Sequence, residues 1–465
     1  MKITILGAAG GEVTGSAYLV RTKNAQALID FGMFQGGRAD DLNRMPPALA
    51  IGRLDAVLLT HAHLDHVGRL PLLAKAGYER TIRCTPATID LAGLILRDSA
   101  KVQAFDLERT NRRRQRAGKP PLEPLYEMAD VEAIMGRFSP VPYNSPVAVA
   151  DGMSARFVEA GHMLGSASIE LTIEEAGVRK TVIFSGDLGP WGAPILKDPE
   201  PFKRGDAVFL ESTYGDHDHK PFAQTVEEFI VIVREAASAK GKLLVPTFAV
   251  GRAQVMLSLL AWMFRRGKVE PFPVYLDSPM AVQASKIYEE HRELFDEETL
   301  AFLREGSVAD DLKISNSKAT ITADESRALN DVRGPCMILA GAGMCNAGRI
   351  LHHLRQNLWK PETRVLIVGY QGRGTIGRML VDGAKEVKIF GEPIAVRGSV
   401  HTLGGFSAHA GQRDLMHWFG AVAPTRPRVL LTHGENDARD ALAQCIRSKY
   451  GIACEKPGIE DTIEI

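Results

Sequence analysis

The sequence predicts an α/β protein of at least two domains, and three observations support this prediction. The chain has 465 residues, more than one ordinary hydrophobic core accommodates. In its middle part, short apolar segments lead repeatedly through loops of small residues into helical segments. In its outer parts, apolar segments end at a histidine or a carboxylate. Together these features predict a packed sheet system with polar groups along one edge, interrupted by a second α/β domain.

The composition is typical of a globular protein without net charge. Apolar residues make up 45% of the chain, and Lys+Arg and Asp+Glu are equal at 56 each. This balance argues against a surface that is basic throughout, but a local basic groove is compatible with it. The five cysteines form no C-x-x-C pair, so we expect neither a disulfide framework nor a cysteine zinc site. We find no signal peptide and no apolar run near the ~20 residues of a membrane helix, and we expect a cytoplasmic protein without membrane contact.

The first part of the chain alternates short strand-like segments with glycine turns. The segments cover residues 3–6, 17–20 and 27–29, and the third ends at Asp30. The glycine-rich loop at residues 7–16 lacks the G-K-[ST] ending of a phosphate loop, and no long helix follows it. We therefore interpret this part as the beginning of a sheet.

A cluster of metal-capable side chains follows the next strand. The apolar run at residues 56–59 leads into H-A-H-L-D-H at residues 61–66. Imidazole and carboxylate groups together suit zinc or a similar divalent metal. The pattern predicts a buried strand that stops and a loop that presents ligands from its end.

The long, mostly helical stretch at residues 86–137 contains a strongly basic segment at residues 109–119. Two interpretations remain open for this segment. It is either a solvated helix end and loop, or a patch that contacts phosphate groups.

Further apolar segments end at potential ligands or acids. Asp30 and His61 follow this rule, and so do His162, Asp187, Glu211 and His433. Catalytic groups are often placed on loops that rigid strands position. We therefore expect these residues to share one edge of the sheet system.

The middle of the chain repeats a strand–loop–helix pattern four times, which predicts a parallel α/β sheet. The strands are expected at residues 243–246, 274–276, 336–340 and 365–368. The glycine-rich loops and helix N-termini suit anions, although the glycine spacing does not match the dinucleotide fingerprint. Three arginines at these loops are candidate phosphate contacts: Arg252, Arg349 and Arg373.

Seven ligand candidates exceed the four that one tetrahedral zinc ion takes, so two metals are predicted, with Asp187 shared between them. The candidates are His61, His63, Asp65, His66, His162, Asp187 and His433. Two metals about 3.5–4 Å apart can hold a bridging hydroxide and lower the pKa of bound water towards about 7. This chemistry suits phosphodiesters, thioesters, lactones or β-lactams, and the metals alone do not choose among them.

The H-x-H-x-D-H pattern, with His162 and Asp187 downstream, resembles the metallo-β-lactamase superfamily. Glu211 in F-L-E-S-T-Y-G, His409 in F-S-A-H and His433 in L-T-H-G-E resemble the three added motifs of the β-CASP nucleases. These nucleases include the cleavage-and-polyadenylation endonuclease and its bacterial and archaeal relatives. The similarity spans nearly the whole chain.

The resemblance implies a fold and a division into domains. The fold is a metallo-β-lactamase αββα sandwich with an inserted parallel-sheet α/β (β-CASP) domain. The sandwich is expected from residues 1–206 and 396–465, and the insert from residues 207–395. Because the insert comes between Asp187 and His433, we expect it to cap the site and leave a narrow cleft.

The resemblance also implies a role for each matching residue. One Zn²⁺ is expected on His61, His63 and His162, and a second on Asp65, His66 and His433, with Asp187 bridging. Asp30 is expected to support the metal ligands without binding metal. The residues expected to act in catalysis are Asp65, Asp187, Glu211 and His409. A histidine with a carboxylate partner can deliver a proton to a departing ribose oxygen, so His409 is the expected general acid, oriented by Glu211.

These roles predict a zinc-dependent ribonuclease that cuts single-stranded RNA by means of a metal-bridging hydroxide, leaving a 5′-phosphate and a 3′-hydroxyl. Because 5′-to-3′ exonuclease relatives tend to carry an extra C-terminal domain, and this chain stops about thirty residues after His433, we expect an endonuclease. The alternatives are a 5′-to-3′ exoribonuclease, a thioester or lactone metallohydrolase, and a non-catalytic RNA-binding scaffold. A homodimer is also left open.

Overall fold

Period-two alternation of apolar residues produces the sheets of the outer chain segments. In the computed structural model, which describes residues 1–36 and 39–465, strand Ala167–Glu175 shows this clearly. Its residues that point into one apolar core are Ala167, Ile169, Leu171 and Ile173. The intervening side chains are polar and point to the other face, as the pleat of a strand requires.

Two compact units are formed by the described residues. Unit 1 consists of Met1–Trp191, Asp198–Asp218 and His409–Ile465. Unit 2 consists of Gly192–Lys197 and His219–Ala408. The predicted domain bounds at 1–206, 207–395 and 396–465 are a different partition and stay a prediction.

The first sheet of unit 1 has seven strands in the order β22-β1-β2-β3-β4-β5-β6, numbered along the chain. Strands β1 to β3 are antiparallel, and β3 to β6 are parallel. The bounds are β1 Lys2–Gly7, β2 Ala17–Arg21, β3 Gln26–Ile29, β4 Ala56–Leu58, β5 Thr81–Cys84, β6 Phe138–Pro140 and β22 Thr462–Glu464.

The second sheet of unit 1 also has seven strands, in the order β21-β20-β11-β10-β9-β8-β7. Apolar side chains of both sheets, such as Ile3 and Ile5 from β1 and Phe157 from β8, form one buried core. The bounds are β7 Val147–Ala150, β8 Met153–Glu159, β9 Ala167–Glu175, β10 Val178–Phe184, β11 Ala207–Glu211, β20 Arg428–Thr432 and β21 Cys454–Glu455.

Helices cover the sheets of unit 1. A second apolar core packs Trp418 and Leu442, from α14 and α15, against Ile183 and Val208 of the second sheet, and α4 contacts α5 and β6 of the first sheet. The bounds are α1 Ala39–Leu42, α2 Leu64–Val67, α3 Leu70–Lys75, α4 Pro86–Arg116, α5 Met128–Met135, α14 Gln412–Val422 and α15 Asn436–Tyr450, with 3₁₀ turns at Ile51–Arg53 and Ala423–Thr425. The predicted αββα sandwich is confirmed.

The main sheet of unit 2 contains six parallel strands in the order β14-β13-β15-β12-β16-β19. Their bounds are β12 Lys242–Pro246, β13 Val274–Asp277, β14 Lys318–Ala319, β15 Cys336–Ala340, β16 Arg364–Ile367 and β19 Ser399–Thr402. A separate antiparallel pair consists of β17 Glu386–Ile389 and β18 Glu392–Ala395.

The four predicted strand–loop–helix repeats of unit 2 are confirmed, since β12, β13, β15 and β16 lead into α7, α8, α12 and α13. The helix bounds are α6 Phe222–Ser238, α7 Arg252–Arg265, α8 Pro279–Glu290, α9 Glu297–Glu305, α10 Val308–Ile314, α11 Ala323–Ala328, α12 Ile350–Asn357 and α13 Ile376–Val381, with 3₁₀ turns at Arg292–Leu294 and Gly404–Phe406.

All five cysteines are free thiols. Among the helices of the described residues, none combines the length and the apolar character that crossing a bilayer requires.

A buried carboxylate connects several elements of unit 2. Asp277, the last residue of β13, is fully buried and accepts hydrogen bonds from His353 Nε2 (2.6 Å), Ser326 Oγ (2.6 Å), Arg349 Nη1 (2.7 Å) and the Thr320 hydroxyl. Burial by itself would raise the pKa of Asp277, but these hydrogen bonds outweigh burial and hold the pKa well below its usual range. The carboxylate is therefore ionised wherever the protein is folded near neutral pH.

We expect Asp277→Asn to lower the free energy of unfolding by about 3–5 kcal/mol, because it removes the anion that the buried donors surround. The depressed pKa makes this contribution complete above the unfolded pKa of about 3.9, and it is lost as the pH falls towards the folded pKa. The difference in free energy of unfolding between the variant and the wild-type protein should therefore become smaller below about pH 4. Urea unfolding of the full chain at a series of pH values, followed by circular dichroism, measures both effects.

A matched control is Asp310→Asn on α10, where the carboxylate is exposed and pairs with Lys313. This substitution should change stability little. Equal destabilisation by the two substitutions, or a deficit of Asp277→Asn that does not change with pH, would contradict the assignment.

Candidate metal centre

Six of the predicted site residues of unit 1 lie at or just after the carboxyl ends of its strands. In the first sheet β3 and β4 are parallel, and in the second sheet β8, β10, β11 and β20 point in one direction. The residues at or just after these strand ends are Asp30, His61, His162, Asp187, Glu211 and His433. The strand directions thus bring them to a common edge, as the sequence pattern requires.

Three histidines and one oxygen of Asp187 form a first group of potential ligands. His63 Nδ1 lies 3.1 Å from His61 Nε2 and 3.0 Å from His162 Nε2. Asp187 Oδ2 lies 3.6 Å from each of those Nε2 atoms. All four ligand atoms lie within 4.8 Å of one another.

The other oxygen of Asp187 faces a second group. Its Oδ1 lies 3.3 Å from His66 Nε2 and 3.4 Å from His433 Nε2. The two Nε2 atoms are 3.2 Å apart, and His433 Nε2 is 3.6 Å from Asp65 Oδ2. The seven residues predicted as ligands therefore form two groups that share Asp187.

The surroundings of Asp187 fit bound metal ions. Both of its carboxylate oxygens are buried, and neither has a hydrogen-bond partner among the described residues. A buried, unsatisfied carboxylate is costly unless a cation compensates it. In tetrahedral zinc sites the ligand atoms lie about 3.3 Å apart, because each is about 2.0–2.2 Å from the ion. The separations of 3.0–3.6 Å between the neighbouring nitrogen and oxygen atoms named above match this spacing.

Burial prepares the first group for metal binding. It lowers the pKa of His61 well below its usual value and lowers the pKa of His63 to about 4. Both imidazoles are therefore neutral near pH 7, and a neutral imidazole is the form that binds metal.

The second group carries opposite charges. Burial alone would raise the pKa of Asp187, but His433, His66 and His61 outweigh it and lower the pKa well below its usual value. Burial would likewise lower the pKa of His66, but Asp187 and Asp30 raise it well above its usual value. The carboxylates thus draw positive charge into the cluster, in agreement with a cation site.

Asp30 orients His66 from behind the cluster. Its Oδ2 lies 2.8 Å from His66 Nδ1, which leaves His66 Nε2 facing Asp187. The amide and hydroxyl of Thr60 each donate to Asp30 at 2.8 Å. Such a carboxylate fixes the ring and tautomer of a metal-binding histidine, and this is the supporting role predicted for Asp30.

Two threonines near the centre were not singled out by the sequence. Thr60 holds Asp30, and Thr213 Oγ1 lies 3.1 Å from His433 Nδ1. Thr60 precedes the histidine loop and Thr213 lies in the segment of Glu211, but a hydroxyl has no ligand spacing by which it could be recognised.

The backbone around the centre is tightly constrained. Gly186, directly before Asp187, has φ +57°, and a Cβ at this position would lie 2.8 Å from the Cβ of Thr60. Asp30 and His433 also have left-handed φ values, 56° and 52°, which are uncommon for residues other than glycine. Strain of this kind clusters at functional sites.

Glu211 and His409 form a pair beside the metal groups. Glu211 is buried, and its oxygens accept from the amides of Leu188 (2.7 Å) and Thr213 (3.2 Å). His409 Nδ1 lies 3.4 Å from Glu211 Oε1 and 3.9 Å from Asp187 Oδ2. Because both Glu211 oxygens already accept amide hydrogen bonds, this pair suits proton transfer better than metal binding.

The surroundings of His409 favour its protonated form. Burial alone would lower its pKa, but Glu211, followed by Asp187 and Asp65, raises it. The side chain keeps 17% of its surface exposed, so it remains within reach of a substrate. A protonated histidine held by a carboxylate can act as a general acid.

The three arginines predicted to contact phosphate all lie in unit 2. Arg252 is buried and donates to the carbonyl of Phe406, and Arg349 donates to Asp277. Arg373 is exposed. Contact with RNA stays a prediction for all three.

Comparison with known families gives three matches along the chain. Residues 10–247 match the family described as "Metallo-beta-lactamase superfamily". Residues 253–380 match the "Beta-Casp domain", and residues 393–457 match the "Zn-dependent metallo-hydrolase RNA specificity domain".

Comparison with individual proteins agrees with these matches. The chain is 39% identical to Ribonuclease TTHA0252 of Thermus thermophilus, over 96% of both proteins. It is 32% identical to the transcription termination factor FttA of Cenarchaeum symbiosum, over 100% of this chain and 71% of that protein. A crystal structure of an Enterococcus faecalis protein of unknown function superposes with a TM-score of 0.54 at 12% identity, covering 100% of this chain and 99% of that one. At this identity the superposition shows similarity of fold alone.

If Asp30 orients His66 for metal binding, Asp30→Asn should weaken metal affinity by about 10–100-fold. Competition with a chromogenic chelator measures this affinity. The control is Asp55→Asn, since Asp55 accepts a hydrogen bond from the amide of Gln26 and not from a histidine. Unchanged affinity of the Asp30 variant, or an equal loss in the control, would remove Asp30 from this role.

Proposed function

Because the chain belongs to the metallo-β-lactamase superfamily and carries its β-CASP domain, we propose that this hydrolase is a zinc-dependent endoribonuclease acting on single-stranded RNA. The observation that carries the proposal is the His409–Glu211 pair beside the shared carboxylate of Asp187. It adds a proton donor to a site that could already bind metal.

RNA is supported as the substrate by two comparisons. The relative that is 39% identical over 96% of both chains is named a ribonuclease. The family matched at residues 393–457 is described by RNA specificity and zinc dependence. Cleavage within a single strand, rather than from an end, and a homodimer stay predictions.

Two Zn²⁺ ions are proposed, one for each group of ligands. The first group is His61, His63 and His162, the second is Asp65, His66 and His433, and each oxygen of Asp187 faces one group. Divalent ions at such a centre lower the pKa of water and stabilise the negative charge of a phosphoryl transition state.

The remaining catalytic roles are proposed for His409 and Glu211. His409 delivers a proton to the departing 3′ oxygen of the ribose, so that hydrolysis leaves a 3′-hydroxyl and a 5′-phosphate. Glu211, fixed by two backbone amides, holds the His409 ring and stabilises its protonated form. A thiolate is a better leaving group than an alkoxide and needs no such donor, so the pair disfavours a thioester substrate and suits the alkoxide leaving group of a phosphodiester.

His409→Ala should lower the rate of RNA cleavage by about 10²–10⁴-fold, because the departing oxygen loses its proton donor. The assay compares end-labelled linear RNA with circular single-stranded RNA. Wild-type protein should cut the circles. His401→Ala is the matched control, since His401 lies on β19 in unit 2, outside the centre.

Three outcomes would contradict the proposal in different ways. Intact circles with mononucleotides from the linear RNA would indicate an exonuclease. Turnover of a thioester without RNA cleavage would indicate a small-molecule hydrolase. Full RNA cleavage by His409→Ala would remove this residue from catalysis.

The purified wild-type protein should contain about two equivalents of zinc, and Asp187→Asn should contain about one or fewer, because an amide is a poor bridge between two cations. Plasma mass spectrometry of protein kept free of chelators measures the content. Asp206→Asn, at a partly exposed carboxylate of the same unit, should keep the wild-type content. One equivalent in the wild type would overturn the bridging role of Asp187.

A further inference from the structure

The second half of α4 extends beyond the core of unit 1. The buried residues of this helix end at Ala100, and every position of residues 101–116 is exposed or half-buried. At 1.5 Å per residue, this extension is about 24 Å long. Packing against the core therefore does not explain why the helix continues.

The returning chain covers one face of the extension. Asn111 Nδ2 donates to the carbonyl of Leu122 (3.0 Å), and the amide of Leu122 donates back to Asn111 Oδ1 (2.8 Å). Arg114 Nε donates to the carbonyl of Pro120 (2.7 Å). The half-buried positions 103, 107, 111 and 114 recur at helical spacing and form this covered face.

The opposite face is open and basic. At 100° per residue, six exposed side chains fall within an arc of about 100°: Val102, Phe105, Arg109, Arg112, Arg113 and Arg116. We call this surface the basic face of α4. The acids of residues 101–116, Asp106 and Glu108, lie outside the arc, and Glu108 pairs with Arg112 at its edge.

The charge of this segment contrasts with the neutral chain. Residues 101–119 contain seven basic and two acidic residues, a local charge of +5, whereas the whole chain has a formal net charge of zero. Within the described residues, Arg109, Arg113 and Arg116 form no ion pair. Phe105 and Val102, 69% and 49% exposed, lie on the same face.

We propose that the basic face of α4 binds the phosphate backbone of single-stranded RNA, with Phe105 stacking on a base, as a binding site separate from the metal centre. Arginines spaced along one face suit successive phosphates, and an exposed aromatic ring stacks on any base. This inference rests on the proposed ribonuclease function and names a second contact for its substrate.

The position of the helix defines how far the RNA must reach. The N-cap residue Thr85 donates to the carbonyl of Gly165, close to the loop that carries His162. From this end, about 35 Å of helix leads to Arg109, at 1.5 Å per residue. Only RNA that extends well beyond the scissile bond can occupy both sites, so the basic face acts on long substrates.

The test measures RNA binding by fluorescence anisotropy over a range of salt concentrations. The background is His409→Ala, which keeps the RNA uncut, and the probe is a single-stranded RNA of about 40 nucleotides. The test protein carries Arg109→Gln, Arg112→Gln, Arg113→Gln and Arg116→Gln. Its affinity near 0.1 M salt should fall at least about tenfold, and the slope of log K against log[salt] should shrink by up to about 3, at ~0.7 per phosphate contact.

A matched variant removes four exposed arginines from other elements of unit 1: Arg53→Gln, Arg179→Gln, Arg204→Gln and Arg447→Gln. It loses the same charge and should keep the parent affinity and slope. Phe105→Ala should weaken binding by about fivefold or more without changing the slope, because base stacking is not an ionic contact.

Unchanged affinity and slope in the arginine variant would overturn the proposal. This result would indicate that the basic face contacts a protein partner instead of RNA. An equal loss in both quadruple variants would also overturn it, because total charge and not this face would then bind RNA. No RNA binding by the His409→Ala parent would overturn it as well. Binding without any cleavage by the wild-type protein would instead overturn the proposed function and leave the basic face as an RNA site.

Discussion

The buried carboxylate of Asp187 is the constraint on which unit 1 depends. Its two oxygens face different groups of imidazoles at 3.3–3.6 Å, and neither accepts a hydrogen bond from the described residues. A carboxylate in this state is stable only if positive charge surrounds it. The elevated pKa of His66 and the depressed pKa of Asp187, both set against the opposing effect of burial, are the response of the protein to this demand.

The strand order and register of the second sheet bring the residues around Asp187 together. Asp187 follows β10, which pairs with β11, and β11 pairs in parallel with β20 from the end of the chain. Because Glu211 is paired in register with Thr432, the last residue of β20, the acid that holds His409 lies beside the strand that leads into His433. The chain between β11 and β20 includes nearly all of unit 2. The His409–Glu211 pair and the group of Asp65, His66 and His433 are therefore completed only when the last part of the chain has folded back.

The sequence was sufficient for the residues whose chemical type is itself a signal. Histidines and aspartates at and just after strand ends predicted the seven ligand candidates, which the structure brings into two clusters. The resemblance added His409 and the roles expected for Glu211 and for each ligand. The sequence was insufficient wherever the role of a residue depends on a partner that is distant in the chain. Arg349 lies on a glycine-rich loop that suits phosphate, yet its guanidinium donates to Asp277, 72 residues away in the chain. The division of the two Asp187 oxygens between the groups is likewise a property of three-dimensional geometry, and no spacing encodes it.

The arginines of unit 2 and those of α4 show why exposure alone does not identify a binding surface. An exposed charge is solvated at little cost, so a single exposed arginine does not by itself indicate a binding site. On α4, however, Arg109 and Arg113, and Arg112 and Arg116, are like charges four residues apart, an arrangement that destabilises a helix by a few tenths of a kcal/mol per pair, about 0.2–0.5. The helix dipole compensates only the arginines of the last turn, and Arg109 lies outside it. A bound polyanion would turn this repulsion into attraction along the whole face, and this gain is the physical reason to place RNA there.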